Sequence, residues 1–140
     1  MRITVDTNVL VRALVGDDPA QAEAATAALL HAEQICVAMP SLCELVWVLK
    51  RVYDFPITEI AAAIRALLNA DTVALDRAAA EAGLTLLEAG GDFADGVIAH
   101  EGQWLGGETF VSFDRKAVDL LQEQGIAAEV LSFSMRSESW

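Results

Sequence analysis

The sequence predicts an α/β domain, with a central five-stranded, mainly parallel sheet and helices on both faces. Three observations predict it. Short β-branched segments alternate with longer helical ones, and strands separated by helices run parallel because each crossover returns the chain to the same edge. No repeat and no linker rich in Pro, Gly or Ser divides the 140 residues, so one domain is expected. Hydrophobic residues make up 54% and charged residues 21%, which excludes intrinsic disorder and supplies a core without staples.

Residues 2–6 (RITVD) read as the first strand and 7–15 (TNVLVRALV) as a helix. Asp17-Asp18-Pro19 marks a helix start, with an acid at the N-cap and Pro at the first position. The alanine-rich helix that follows runs to about residue 32. Residues 34–38 (QICVA) form a second strand. Pro40 opens a helix to about residue 53, where Asp54-Phe55-Pro56 breaks it. Residues 58–69 form a helix with Ile60, Ile64, Leu67 and Leu68 on its apolar face. A short third strand spans 72–75. A helix over 76–89 ends at Gly90-Gly91, and Asp92 caps the next, over 93–102. Residues 108–113 are a fourth strand, 115–124 a helix closed by Gly125, and 128–131 a fifth strand. The domain is expected to span 1–131, followed by a polar tail over 132–140.

Net charge is −12, from 21 acids against 9 bases, which by itself argues against phosphate binding through Lys and Arg. It allows a divalent cation held by carboxylates, or a basic protein partner. No apolar run approaches the roughly 20 residues of a membrane span. Asp6 interrupts the N-terminal apolar stretch where a secretory leader would be uncharged. A cytoplasmic protein is therefore expected, without membrane association and with Cys36 and Cys43 reduced.

In open parallel sheets ligands gather beyond the carboxyl ends of the strands, so acids placed there carry the most information. Asp6 closes the first strand and Asp114 the fourth. Glu44 lies on the second turn of the helix after strand two. Asp92 and Asp95 sit at i and i+3 in DFAD. Each has a plainer reading: Asp6, Asp92 and Asp114 as helix N-caps, Glu44 as a solvated helix residue. Jointly, each acid follows an apolar segment that delivers it to one edge.

The segments VDTNVLV, PSLCELVWVL, DFADGVIAH and FVSFDRKA, in this order and spacing, resemble the PIN domain, and more closely the VapC-type toxins of bacterial type II toxin–antitoxin pairs. The resemblance covers residues 1–131. It implies a PIN-like fold and a magnesium-dependent ribonuclease, with Asp6, Glu44, Asp95 and Asp114 as the acidic quartet that binds metal and carries catalysis. Asp92 matches a further acid, Asn8 the Asn of the opening motif, and Ser112 stands where the family usually has Thr. Gly96 replaces the more usual Ala, which is expected to loosen that helix slightly. The resemblance also implies a homodimer and a small VapB-like antitoxin with a basic C-terminal segment.

The chemistry fits the residues without that resemblance. Clustered carboxylates repel one another, and a cation makes the cluster tolerable. Mg²⁺, with Mn²⁺ as a possible substitute, takes a few carboxylates plus waters and phosphate oxygens. Arg12 and Arg115 are candidates for the path of the RNA backbone, and Lys50, Arg51 and Lys116 lie on the acid-bearing segments. Aromatics are only 6% of the chain, so no base-stacking platform is expected. His31 and His100 read as helix-surface or structural residues, and Cys43 as packing. Apolar surfaces around Val46, Trp47 and Tyr53, or Ile60 and Ile64, are candidates for the dimer, and the groove beside Leu45, Val48 and Leu49 for the antitoxin. Two other readings stay open. One is a PIN-fold binding module without cleavage. The other is a different acidic α/β phosphohydrolase, which Asn8 disfavours because phosphatases of the haloacid-dehalogenase type carry a second Asp there.

Overall fold

The computed structural model describes residues 1–132. The tail expected over 132–140 falls, from residue 133 on, outside the described residues. Strands β1 (Arg2–Thr4), β2 (Gln34–Cys36) and β3 (Val73–Ala74) form one parallel ladder in the order β1-β2-β3, with Ile3 opposite Ile35 and Ile35 opposite Val73. Strands β4 (Phe110–Ser112) and β5 (Ala128–Val130) form a second parallel ladder. The expected single five-stranded sheet is therefore corrected to three strands plus two among the described residues. The reason lies in strand length and core division. Strands of two or three residues offer few ladder bonds, and each ladder rests on its own apolar cluster. Ile35, Leu42, Leu45, Leu49, Ile60, Ile64 and Phe93 belong to the larger cluster; Leu86, Ala99 and Leu121 form the smaller one, under β4 and β5.

Helices connect the strands as the parallel order requires. α1 (Thr7–Val15) and α2 (Pro19–His31) lead from β1 to β2, and α3 (Met39–Arg51) and α4 (Ile57–Asn69) from β2 to β3. α5 (Arg77–Glu88) and α6 (Phe93–Trp104) pack as a pair before β4, and α7 (Arg115–Glu123) crosses from β4 to β5. Among the described residues no helix is long and apolar enough to cross a membrane. The helix starts follow the predicted chemistry: Asp18 caps α2 at Gln21 N–H with Pro19 in the first position, and Gly16 closes α1 at φ 70°.

Two surfaces expected to be open are core. Ile60, Ile64, Leu45 and Leu49 have no exposed surface and Val46 has 4%, so they offer neither a dimer face nor a partner groove. Their i, i+4 spacing is equally that of a helix buried against the sheet. Trp47 on the same helix is exposed.

Gly96 does the opposite of loosening α6. A Cβ there would lie 2.5 Å from the Ala82 carbonyl oxygen and 2.9 Å from Gly83 Cα, both on α5. The Phe93 ring fills the space above Gly83, where a Cβ would meet it at 2.7 Å. The two glycines let the backbones of α5 and α6 meet, and this contact fixes the N-terminal turn of α6. Alanine at 96 gains helix propensity of about 1 kcal/mol. It must also displace backbone, and overpacking of that kind costs about 1–3 kcal/mol. Gly96→Ala is expected to lower the thermal midpoint, measured by circular dichroism; an unchanged or raised midpoint would show that the helices separate freely.

A polar tie joins α1 to the end of α3. Arg12 donates to Asp17 Oδ1 at 3.0 Å and to Tyr53 Oη at 3.3 Å, and Tyr53 donates to Asp17 Oδ2 at 2.9 Å. The Tyr53 hydroxyl, then Arg12, holds the Asp17 carboxyl below its ordinary value. A depressed carboxylate contributes stability above its unfolded pKa and loses it as pH falls through the folded one. The stability gap between the wild-type chain and Tyr53→Phe is thus expected to be full at neutral pH and to shrink on acidification below the ordinary aspartate range. Denaturant titrations at several pH values measure it, and a gap independent of pH would contradict the tie.

Candidate active site

Five of the seven helices begin with an aspartate cap among the described residues. Asp6 Oδ1 accepts from Asn8 N–H at 3.0 Å and Val9 N–H at 3.3 Å. Asp92 Oδ1 accepts from Ala94 N–H at 2.9 Å, and Asp114 Oδ1 from Ala117 N–H at 3.2 Å. Asp18 and Asp76 cap α2 and α5 in the same way. The plainer reading of Asp6, Asp92 and Asp114 as caps is therefore correct as local structure. It does not exhaust them: in all three, Oδ1 alone caps, and Oδ2 accepts no hydrogen bond among the described residues. Ser112 steadies the last of these, its Oγ accepting from Asp114 N–H at 3.0 Å.

Asp92, Asp95 and Asp114 line one concavity of about 270 Å³ between α3 and the N-termini of α6 and α7. Asp95 sits one turn into α6, half-buried. Burial, then the charges of Asp92 and Asp114, push its carboxyl above the ordinary value. The α3 wall carries Cys43, Trp47, Lys50 and Arg51, and Lys116 of α7 completes the rim. Burial, then the charges of Glu101 and Asp92, raise the Cys43 thiol, so it stays protonated and is neither a ready nucleophile nor a ready ligand.

The remaining predicted residues stand elsewhere. Asp6 opens onto a second concavity of about 500 Å³ with Asn8, Arg12 and Gln21. Glu44 is exposed on α3, one position on from Cys43, and does not line the first concavity. Arg115 is exposed at the first position of α7, and Arg12 is held in the tie to Asp17 and Tyr53. Of the acidic quartet, Asp95 and Asp114, joined by Asp92, line the first concavity, and Asp6 and Glu44 are not among its lining residues. Asp6 and Asp114 follow strands of different ladders, β1 and β4.

Sequence reasoning missed Trp47 as part of this concavity. Its signal was the spacing of Cys43, Trp47, Lys50 and Arg51 at i, i+4, i+7 and i+8, one stripe of a helix. His100 turns inward, with Nε2 buried and without a partner among the described residues, and His31 caps its own turn on Ala27 O.

The donor set suits a hard divalent cation. It consists of carboxylate oxygens, and Asp95, raised by burial and then by the charges of Asp92 and Asp114, stands where positive charge would offset both. Among the described residues no three His, Cys, Asp or Glu side chains stand close enough to form a closed cage. Mg²⁺ does not demand one, because it binds through one or two carboxylates and keeps several waters.

The sequence matches the PIN domain family over residues 3–120. No match is found among curated proteins or among solved structures.

The coupling of the three acids is directly measurable. Asn keeps the cap at position 92, since Asn and Asp cap about equally, while removing the charge. Asp92→Asn is expected to lower the Asp95 titration toward the ordinary aspartate range, followed by carboxyl NMR. An unmoved Asp95 would mean that the charge of Asp92 plays no part in raising it.

Proposed function

We propose, from the fact that the chain belongs to the PIN domain family, that it is a metal-dependent endoribonuclease hydrolysing RNA phosphodiester bonds. Membership makes it a nuclease-fold protein acting on nucleic acid. The observation that carries the finer reading is the half-buried Asp95 beside Asp92 and Asp114, in a concavity rimmed by Lys50, Arg51 and Lys116. Asp6 and Glu44 join the catalytic set on the strength of the motif resemblance, with Asn8 and Ser112 in support.

In this reading Asp95, with Asp92 or Asp114 beside it, would hold Mg²⁺ or Mn²⁺, and waters would fill the remaining positions. Such a cation supplies Lewis acidity and offsets the negative charge that builds on the phosphate. The chain's own residues do the rest. The caps on α6 and α7 pin Asp92 and Asp114 by Oδ1 and leave Oδ2 without a hydrogen bond among the described residues. The Gly96 contact seats the first turn of α6 on α5, and Asp95 in that turn is half-buried, which strengthens its electrostatic interactions. Lys50, Arg51 and Lys116 offer positive charge to the RNA backbone at a site whose chain is otherwise strongly acidic.

We further propose that it is the toxin of a toxin–antitoxin pair, a cytoplasmic homodimer neutralised by a small VapB-like antitoxin with a basic C-terminal segment. The net charge of −12 suits a basic partner. The arginine of such a segment can grip a carboxylate bidentately. A second reading, a PIN-fold module that binds RNA without cutting it, is favoured by one observation: Asp6 and Glu44 lie outside the concavity that gathers the other acids.

Purified chain is expected to cleave RNA with Mg²⁺ or Mn²⁺ and to stop with EDTA. Asp95→Asn and Asp6→Asn should abolish cleavage while circular dichroism stays unchanged. Cleavage that survives EDTA would remove the metal mechanism, and wild-type activity in Asp6→Asn would remove that residue from the set. RNA binding without cleavage under any divalent cation would establish the second reading.

The toxin assignment has its own test. Co-expression with the product of the adjacent reading frame should yield a complex that cleaves more slowly than the free chain. A neighbour that fails to bind, or a complex of full activity, would leave a solitary nuclease.

A further inference from the structure

The α3 wall of the acid-lined concavity is built unlike the rest of that helix. Leu42, Leu45 and Leu49 have no exposed surface and Val46 has 4%, yet Trp47, in their midst, is 58% exposed. An indole left in water is a large, stiff apolar surface awaiting a flat partner. One turn on, Lys50 and Arg51 flank it, and Lys116 faces it from α7. Lys50 and Lys116 are the only two lysines of the chain. Arg12, Arg65 and Arg77 are each paired with an acid, whereas Lys50, Arg51 and Lys116 form no ion pair among the described residues, although three carboxylates share their concavity. Their donors are free for an anion that enters.

We propose that Trp47 is the stacking platform for an unpaired base of the RNA, with Lys50, Arg51 and Lys116 gripping the phosphates on either side, so that the substrate is single-stranded where it meets the carboxylates. This rests on the ribonuclease reading above and names its substrate class. A nucleotide offers both surfaces that the wall can use, a π-face for the indole and phosphates for the cations. Bases in a duplex are stacked on one another and cannot reach a side-chain platform, whereas bases of loops and single strands can. Scarce aromatics gave no reason to expect a platform from composition, but one indole on this wall is enough to seat one base.

The test measures binding of a fluorescent single-stranded oligoribonucleotide by anisotropy, in EDTA so that it stays intact, with RNA cleavage assayed separately in Mg²⁺. Trp47→Ala is expected to weaken binding about tenfold and Trp47→Phe far less, as stacking on an aromatic face predicts. An oligonucleotide with abasic sites should bind the wild-type chain weakly and lose nothing more with Trp47→Ala. Lys50→Ala/Arg51→Ala should flatten the dependence of log K on log salt by about 1.4, roughly 0.7 for each cation removed. Trp47 is exposed, so the folded state should survive its substitution, and circular dichroism checks that it does. Wild-type binding by Trp47→Ala, an equal loss on the abasic strand, or no RNA binding by the unmodified chain overturns the platform. A change in oligomeric state of Trp47→Ala by light scattering assigns the indole to a protein interface and overturns it too. Cleavage lost in Asp95→Asn but indifferent to Trp47 leaves the ribonuclease reading and removes the platform. Trp47-dependent binding without any cleavage does the reverse.

Discussion

The first turn of a helix leaves backbone N–H groups with no partner inside the helix, and this chain satisfies them with aspartate. That constraint organises the molecule. Parallel strands oblige the chain to return through helices, and a helix that follows a strand begins just beyond the strand's carboxyl end. An aspartate cap at that point therefore brings a carboxylate to the edge where α/β sheets bind ligands. Asp6 after β1, Asp76 after β3 and Asp114 after β4 all arise in this way. One oxygen closes the helix, and in Asp6, Asp92 and Asp114 the other is left without a protein hydrogen bond among the described residues.

A cap alone makes no centre, and the second requirement is that caps from different elements converge. Here α5 and α6 supply it. Gly83 and Gly96 allow their backbones to touch, Phe93 is sealed beneath, and the N-terminal turn of α6 is held with Asp92 at its cap and Asp95 half-buried beside it. The charges of Asp92 and Asp114 act on Asp95 together with its burial. Packing of two small residues thus seats the helix turn that carries both Asp92 and Asp95.

Much of this was legible in the sequence, and the limits have physical causes. The helix starts at Asp18-Pro19 and Asp92, and every strand to within a few residues, follow from local chemistry that acts over one turn. The PIN membership follows from four motifs in register. Sheet continuity was not legible, because three-residue strands leave the edge pairing to the distribution of apolar area between two clusters. Nor was the role of Gly96, since its neighbour is a carbonyl on another helix. Ile60 and Ile64 show why an apolar stripe does not say what covers it: the stripe is the same whether a sheet or a second chain lies against it. Trp47 was legible as a surface candidate but not as a wall of the acid-lined concavity, because that depends on where α6 and α7 lie beside α3.

The account turns on whether capping carboxylates of α6 and α7, together with Asp95, hold a divalent cation in the folded chain. Titration with Mn²⁺, followed by the loss of the free-ion paramagnetic resonance signal, measures this without any substrate. The account predicts saturable binding by the wild-type chain, markedly weaker binding by Asp95→Asn and Asp114→Asn, and unchanged helix content in both, since Asn preserves the cap at 114. Wild-type affinity for Mn²⁺ in Asp95→Asn would contradict it.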